Sequence, residues 1–446
     1  MSFDRGVVIP RVACAARPEQ SYALYLPSNY TPERQWPVLF AFDPAARRRV
    51  PVDLAKDAAE KYGYIVAGSN NSRNGPTRPQ VEAADAMIQD VTARLPVDTR
   101  RMYTTGFSGG ARVAVTTALL CGDCIAGVFA QGAGFPASAP PSKDVRFSTF
   151  AAVGDADFNY PELFELDQRL EELGLARRLR VFEGPHGWAP AEVWQEAIEW
   201  FEVRAMAEAR RPRDEEFIQL RLTQARARAV YRERAGDLYA AYLEYRALVA
   251  DFEKLADVSS FTAKAAETKF SEATRDGLNR EEKEIRRQRA LVSPYFSALE
   301  MLRATPVERL NLMPQIYSLV RDLRQGAARE KPPEKARRRA LAQVFAHSYE
   351  TGEAALRQKD HAFAVASFDL AAEAWPESPG PSFALARAHA ANGRKKQALD
   401  ALREAVRKGL RSADLLRSTP EFAPLQSAPE FQKIVQSLEQ PSPARP

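Results

Sequence analysis

Short apolar runs alternate with longer amphipathic stretches from residue 7 to about residue 203. This alternation is typical of a mainly parallel β-sheet that is covered by helices. The apolar runs predict eight strands, at residues 7–14, 21–26, 37–42, 64–68, 102–106, 125–131, 147–153 and 178–182. Apolar residues at helical spacing predict helices between the strands, at residues 52–62, 80–94, 109–120, 161–173 and 190–203. We therefore expect an α/β domain built on a sheet of about eight mostly parallel strands.

The second half of the chain reads almost entirely as helix and contains an internal repeat. Three positions recur 34 residues later with similar side chains, first as Ala364, Phe368 and Ala371 and then as Ala398, Leu402 and Ala405. That period is typical of tetratricopeptide repeats, in which small residues let paired helices approach closely. Residues 206–216 are polar and contain Pro212, which predicts a linker. The expected order is an α/β domain at 1–205, the linker at 206–216 and an all-α, tetratricopeptide-like helical-repeat domain at 217–440.

The charges divide between the same two halves. Residues 1–205 contain 22 Lys or Arg against 25 Asp or Glu, whereas residues 206–446 contain 41 against 33. The basic excess lies mostly on predicted helices, where solvated faces account for it, and aromatic residues are not interleaved as a nucleic-acid stacking platform requires. No stretch approaches the roughly 18 consecutive apolar residues that span a bilayer. We expect no membrane partner and no nucleic-acid partner, with nucleic-acid binding as the minor alternative. For the repeat domain we expect a protein or peptide partner, or packing of its helices over the α/β domain.

Three cysteines, Cys14, Cys121 and Cys124, leave two states open. A lone Cys-x-x-Cys with one histidine in its domain is too sparse for a tetrahedral zinc site, which takes four ligands, so we expect no metal. Buried thiols are the favoured interpretation. A single disulfide is the competing one, and it would imply an oxidising compartment.

One pentapeptide in the α/β half indicates nucleophilic chemistry. Gly106-Phe-Ser-Gly-Gly110 follows a predicted strand and precedes a predicted helix. In that context Gly-x-Ser-x-Gly is a nucleophile elbow, a tight turn that holds the serine hydroxyl above the start of the helix. Ser108 is therefore the predicted nucleophile, and the backbone N–H of Gly109 is a predicted donor to the oxyanion.

A serine hydroxyl needs a base, and the base needs a carboxylate to orient it. His186 is the one histidine in the α/β half, and it lies between the last predicted strand and the last predicted helix. Asp155 and Asp157 both follow the strand predicted at 147–153. The chain order of serine, aspartate and histidine matches that of α/β-hydrolases.

Tyr22-Ala-Leu-Tyr-Leu-Pro27, Pro37-Val-Leu-Phe40 and Gly106-Phe-Ser-Gly-Gly-Ala-Arg112 together resemble one group of α/β-hydrolases. The group comprises esterase D, polyhydroxybutyrate depolymerases and feruloyl esterases, and it is similar to dienelactone hydrolases. The resemblance covers slightly under half of the chain and implies hydrolysis of small or polymeric carboxylic esters without a metal or organic cofactor. In such hydrolases the acid commonly stands three residues after a strand-ending glycine, which favours Asp157 over Asp155.

The sequence departs from this group at the predicted oxyanion loop. Where the group usually has His-Gly after the third strand, this chain has Asp43-Pro44. Proline has no N–H to donate, so Ala45 becomes the expected second donor to the oxyanion. Loss of one such donor would cost on the order of 3 kcal/mol of transition-state stabilisation.

Several other side chains are expected to line the substrate pocket. Asn70 and Arg73 lie in a polar loop after the fourth strand, and four aromatic residues flank the predicted triad, namely Phe107, Phe158, Tyr160 and Trp188. For the aromatic residues, ordinary packing against neighbouring helices is an equal alternative.

The leading hypothesis is a serine hydrolase that cleaves carboxylic esters through an acyl-enzyme. A peptidase with the same triad stays open, as does a catalytically weak hydrolase scaffold whose repeat domain binds a protein. The N-terminal residues lack the apolar run of a signal peptide. Hydrolases of the group are often exported, so the resemblance favours a secreted or periplasmic location, with the cytoplasm as the alternative.

Overall fold

The computed structural model describes residues 3–47, 49–304 and 309–439, and its first feature is one eight-stranded sheet. The strands are β1 (Val8–Ala13), β2 (Ser21–Tyr25), β3 (Trp36–Phe42), β4 (Ile65–Ser69), β5 (Val97–Phe107), β6 (Gly127–Gln131), β7 (Ser148–Gly154) and β8 (Arg177–Phe182). Their spatial order is β1-β2-β4-β3-β5-β6-β7-β8. β2 runs antiparallel to both of its neighbours, and all pairs from β4 to β8 are parallel. The predicted sheet of eight mostly parallel strands is confirmed.

Four helices connect the parallel strands, and a fifth follows the last strand. They are α1 (Val50–Tyr62), α2 (Thr77–Arg94), α3 (Gly109–Cys121), α4 (Tyr160–Glu172) and α5 (Ala191–Ala207). Each coincides with a helix predicted from the apolar spacing. The strands β2, β3, β4, β6 and β7 are buried along their whole length, as strands covered by helices on both faces must be.

The described part of the chain divides into two compact units, Met1–Glu282 and Lys283–Pro446. The first unit therefore holds more than the sheet domain predicted at 1–205, because α6 (Glu215–Arg234), α7 (Leu238–Phe252) and α8 (Ser259–Lys269) belong to it.

Buried polar contacts tie these additional helices to the sheet. Asp251 of α7 accepts hydrogen bonds from Arg178 of β8 at 3.1 Å and from the indole of Trp200 at 2.6 Å. An unpaired charge at such depth would be strongly destabilising, so this contact fixes α7 against α5 and β8. That residues 206–216 form a linker between two independently folding domains stays a prediction.

The rest of the described chain is helical. Its elements are α9 (Glu272–Ala304), α10 (Arg309–Ala328), α11 (Ala336–Arg357), α12 (His361–Ala374), α13 (Pro379–Ala391), α14 (Lys395–Arg407), α15 (Ala413–Ser418), a 3₁₀ helix (Pro420–Leu425) and α16 (Pro429–Glu439). No helix among the described residues is both long and apolar enough to cross a membrane.

The positions that recur after 34 residues lie on the buried faces of two helices in the second unit. All six repeat positions, Ala364, Phe368 and Ala371 on α12 and Ala398, Leu402 and Ala405 on α14, are fully buried. Gly352 of α11 lies so close to the ring of Phe368 that a Cβ there would be 2.6 Å from a ring carbon. Close approach of α11 and α12 thus depends on that glycine, and the tetratricopeptide-like character of the repeat stays a prediction.

The structure contains a single disulfide, which was the competing interpretation of the three cysteines. Cys121, the last residue of α3, forms a disulfide with Cys124. Cys14 is a buried free thiol, and its burial raises its pKa to about 11.

Candidate active site

Ser108 lies on a strained turn between β5 and α3. Its φ of 53° and ψ of −121° are sparsely populated for a residue with a side chain and cost of order 1–3 kcal/mol. The turn requires glycine on both sides. A Cβ on Gly106 would lie 2.1 Å from the carbonyl oxygen of Gly110, and one on Gly110 would lie 2.1 Å from that of Phe42. The backbone N–H of Ser108 donates to the carbonyl of Gln131 at the end of β6, which fixes the turn to the sheet.

The three residues of the predicted triad form one hydrogen-bonded chain. His186 Nε2 lies 3.0 Å from Ser108 Oγ, and its Nδ1 lies 2.9 Å from each carboxylate oxygen of Asp157. The Asp157 side chain is fully buried, whereas 19% of the His186 side chain is exposed. A buried carboxylate behind a partly open imidazole is the arrangement in which histidine can remove a proton from serine.

Hydrogen bonds between two loops bring Asp157 and His186 together. Gly184, in the loop after β8, accepts a hydrogen bond from Ala156 N–H at 2.9 Å and donates its own N–H to Asp155 Oδ1 at 3.1 Å. The two candidate aspartates therefore have separate positions. Asp155 holds the backbone of the histidine loop, and Asp157 contacts the imidazole itself.

Aromatic rings surround the imidazole. The ring centroids of Phe107 and Phe158 lie 4.5 Å and 4.2 Å from that of His186. Trp188 packs against Phe107 at 5.5 Å. These predicted pocket residues thus lie beside the triad, where apolar rings limit access of water to the imidazole.

Asp43 organises the loop that was expected to supply the second oxyanion donor. Its buried carboxylate accepts hydrogen bonds from the Ala45 N–H at 2.8 Å, from the Arg47 backbone and side chain, and from the indole of Trp188 at 3.2 Å. The expectation for Ala45 is therefore not met in this structure, because its N–H points to Asp43. The N–H of Ala46 donates to the carbonyl of Asp43.

The remaining predicted pocket residues, Asn70, Arg73 and Tyr160, differ in their surroundings. The amide of Asn70 donates to Ser21 Oγ at 3.1 Å, next to β1 and β2. The side chain of Arg73 is exposed. The hydroxyl of Tyr160 donates to Glu281 at 2.8 Å, and only 5% of this tyrosine is exposed.

Sequence reasoning missed two residues at the site. Gln131 is fully buried, and its side-chain oxygen accepts the N–H of Ala189 in the histidine loop at 3.1 Å. Asn74 lies with its side-chain amide directly against Gly109. A lone polar residue at the end of an apolar strand was the available signal for Gln131, whereas nothing in the sequence distinguished Asn74 from the other asparagines of its loop.

No group of three or more His, Cys, Asp or Glu side chains is arranged to hold a metal ion in the part of the chain that the structure describes.

Comparison with known proteins gives no match by sequence and partial likenesses by structure. No protein-family model matches the chain, and no curated protein matches it. The feruloyl esterase module from Clostridium thermocellum is 13% identical over 43% of this chain and 87% of its own, with a TM-score of 0.37. S-formylglutathione hydrolase from Staphylococcus aureus is 13% identical over 46% and 98%, with a TM-score of 0.34. Dipeptidyl peptidase 4 from Porphyromonas gingivalis is 15% identical over 43% and 34%, with a TM-score of 0.35. Each likeness spans less than half of this chain.

Proposed function

We propose that the chain is a serine hydrolase of the α/β-hydrolase class that cleaves carboxylic esters through an acyl-enzyme. The observation that carries this proposal is the continuous chain of contacts from Ser108 Oγ through His186 to the buried carboxylate of Asp157. The strained turn at Ser108 supports it, because the surrounding structure holds strain of this kind mostly at active sites and ligand-binding sites.

Acylation begins when His186 Nε2 takes the proton of Ser108 Oγ. The oxygen attacks the ester carbonyl carbon, a new C–O bond forms, and the carbonyl electron pair moves to the oxygen to give a tetrahedral oxyanion. Asp157 stabilises the imidazolium that results and keeps the Nδ1 proton in place. As the oxyanion collapses, the bond to the leaving alcohol breaks and the alcohol takes the proton from His186 Nε2.

Deacylation repeats these steps with water. His186 takes a proton from water, the hydroxide adds to the acyl carbon, and collapse of the second oxyanion releases the acid while Ser108 Oγ regains its proton. Gly109 is the first residue of α3, so the helix has no earlier carbonyl that could accept its N–H. This N–H is therefore available to the oxyanion in both halves of the reaction.

The test measures release of p-nitrophenol from acetate, butyrate and octanoate esters by the full chain. We expect turnover with an initial burst, since the acyl-enzyme forms before water releases it, and we expect Ser108→Ala to lose roughly 10⁶-fold in kcat. Ser142→Ala, in an exposed loop, is the matched control and should behave as the wild type. Equal turnover by Ser108→Ala and wild type would contradict the proposal, and faster cleavage of anilides than of esters with the same acyl group would favour the peptidase alternative.

A further inference from the structure

In the loop after β3, residues 44–47 offer no free amide to an oxyanion. Pro44 has no N–H, and the next three N–H groups, of Ala45, Ala46 and Arg47, all donate to Asp43, to its carboxylate or to its carbonyl oxygen. With the N–H of Gly109 as a donor and none from residues 44–47, the oxyanion would accept one hydrogen bond from these two parts of the site. A second donor has to come from another group or is missing.

Asn74, in the loop between β4 and α2, occupies the space next to Gly109. A Cβ built on Gly109 would lie 1.8 Å from Asn74 Oδ1, 2.8 Å from its Cγ and 3.3 Å from its Nδ2. No side chain other than hydrogen fits at residue 109 while the Asn74 amide stays there. The glycine after the predicted nucleophile thus makes room for the Asn74 carboxamide next to its own Cα.

The position of Asn74 is fixed from both sides although the residue is exposed. Its backbone N–H donates to the carbonyl of Pro44 at 2.7 Å, and Arg73 forms a β-bridge with Ala45. Gln80 of α2 donates to the carbonyls of Arg73 at 2.9 Å and Gly75 at 3.0 Å. The backbone on either side of Asn74 is therefore held, which limits where its side chain can lie.

The carboxamide itself has an unused donor. Within the described part of the chain, the Asn74 side chain takes part in no hydrogen bond. A half-turn about χ2 exchanges its nitrogen and oxygen without changing its shape. Negative charge developing beside Gly109 would attract the NH₂ end, as preorganised side-chain amides do at other oxyanion sites.

We propose that Asn74 Nδ2 is the second hydrogen-bond donor to the oxyanion, next to the N–H of Gly109. This inference rests on the proposed function, because it assigns a residue to the transition state of that reaction. It also gives the Asp43-Pro44 loop a role: the loop supports the asparagine loop through the Pro44 carbonyl instead of donating to the substrate.

The test compares Asn74→Ala and Asn74→Asp with wild type on p-nitrophenyl butyrate. Because the contact forms in the transition state, we expect kcat to fall about 100- to 1,000-fold in Asn74→Ala while KM changes less than threefold. Asn74→Asp keeps the shape but places an acceptor against the oxyanion, so its loss should be at least as large. Arg78→Ala, at the exposed start of α2, is the control and should keep wild-type kcat.

A second measurement separates this role from loop packing. In a crystal structure of the full chain phosphonylated by a fluorophosphonate, we expect the phosphonyl oxygen within about 3.2 Å of Asn74 Nδ2. A distance beyond 4 Å, or a kcat for Asn74→Ala within threefold of wild type while Ser108→Ala is inactive, would overturn the inference and leave the proposed function standing. A wild-type chain that neither turns over esters nor is phosphonylated would overturn both.

Discussion

Asp43 is the residue whose replacement tests the architecture of the site most broadly. It follows β3, is 1% exposed, and joins the β3–α1 loop to the histidine loop through its bond to Trp188. Replacement by asparagine keeps one oxygen for the N–H groups of Ala45 and Arg47. It places an NH₂ group where the second carboxylate oxygen accepts from the Arg47 guanidinium and from Trp188.

The expected cost follows from these lost contacts. Arg47 is half exposed, so water replaces much of what its guanidinium loses, and the ion pair contributes little by itself. The indole N–H of Trp188 is left facing another donor, and an unsatisfied, partly buried donor costs about 1–3 kcal/mol. We therefore expect Asp43→Asn to lower the free energy of unfolding of the first unit by about 2 kcal/mol, which corresponds to a Tm loss of roughly 4–8 °C.

The pH dependence of this difference has a defined sign. Burial alone opposes ionisation of Asp43, but hydrogen bonds from Arg47 and from the backbone outweigh it and lower the pKa of the carboxyl below its ordinary value. A group with a lowered pKa contributes stability above its unfolded-state pKa and loses it as the pH falls through the folded-state pKa. The difference in the free energy of unfolding between Asp43→Asn and wild type should therefore be largest near neutral pH and shrink below about pH 4.

The assay is thermal unfolding followed by tryptophan fluorescence. Four of the five tryptophans, Trp36, Trp188, Trp194 and Trp200, lie in the first unit. Asp53→Asn is the matched control, because Asp53 forms an i,i+4 pair with Arg49 in which both side chains are exposed, and loss of such a pair should change the stability little. A Tm loss for Asp43→Asn no larger than that of Asp53→Asn would refute the reasoning.

Three further predictions concern the triad, the elbow and an ion pair. Asp157→Asn should lower kcat roughly 10⁴-fold in initial-rate assays, whereas Asp155→Asn, at the carboxylate that accepts the Gly184 N–H, should lose much less. Gly110→Ala should fail to give folded protein by circular dichroism, because its Cβ would lie 2.1 Å from a β3 carbonyl oxygen, while Gly380→Ala, with its nearest atom at 3.7 Å, should fold normally. Hydrogen bonds from the Lys264 ammonium and the Tyr245 hydroxyl hold the pKa of Glu233 below its ordinary value, so Glu233→Gln should be less stable than wild type at pH 7, and the difference in urea titrations should shrink as the pH falls below the ordinary pKa of a glutamate.

The sheet and its helices were predictable because burial on both faces produces apolar runs. The beginning of β5 shows the limit of that signal. The strand starts at Val97, five residues before the predicted start, because Asp98, Arg100 and Arg101 give its first part a polar sequence. Asp98 and Arg101 pair with each other at 2.8 Å, and Arg101 also lies 3.7 Å from Glu202 of α5, so ion pairs accommodate polar residues that local pattern reading assigns to a loop.

The triad was predictable because few residues of the required types were available. With one histidine in the α/β half, His186 followed from residue type and position, and the two aspartates were separated by the resemblance. The oxyanion loop was not predictable in the same way. Whether Ala45 donates to a substrate or to Asp43 depends on how a turn folds around one carboxylate, which periodicity does not encode.

The pocket residues show the same distinction between sequence position and spatial contact. Asn70 and Asn74 lie four residues apart in one loop, yet the first contacts Ser21 and the second contacts Gly109. The hydroxyl of Tyr160 binds Glu281, which is 121 residues away in sequence. Such contacts depend on which loops meet at one edge of the sheet, and single-sequence patterns carry no information on that choice.

The most direct test of the central claim is to locate a fluorophosphonate adduct on the native chain by peptide mass spectrometry. Cleavage after Arg101 and Arg112 gives the peptide of residues 102–112, in which Ser108 is the one serine. We predict a single adduct on this peptide, formed in the folded protein and absent after heat unfolding. An unmodified 102–112 peptide, or an adduct on a serine elsewhere in the chain, would contradict it.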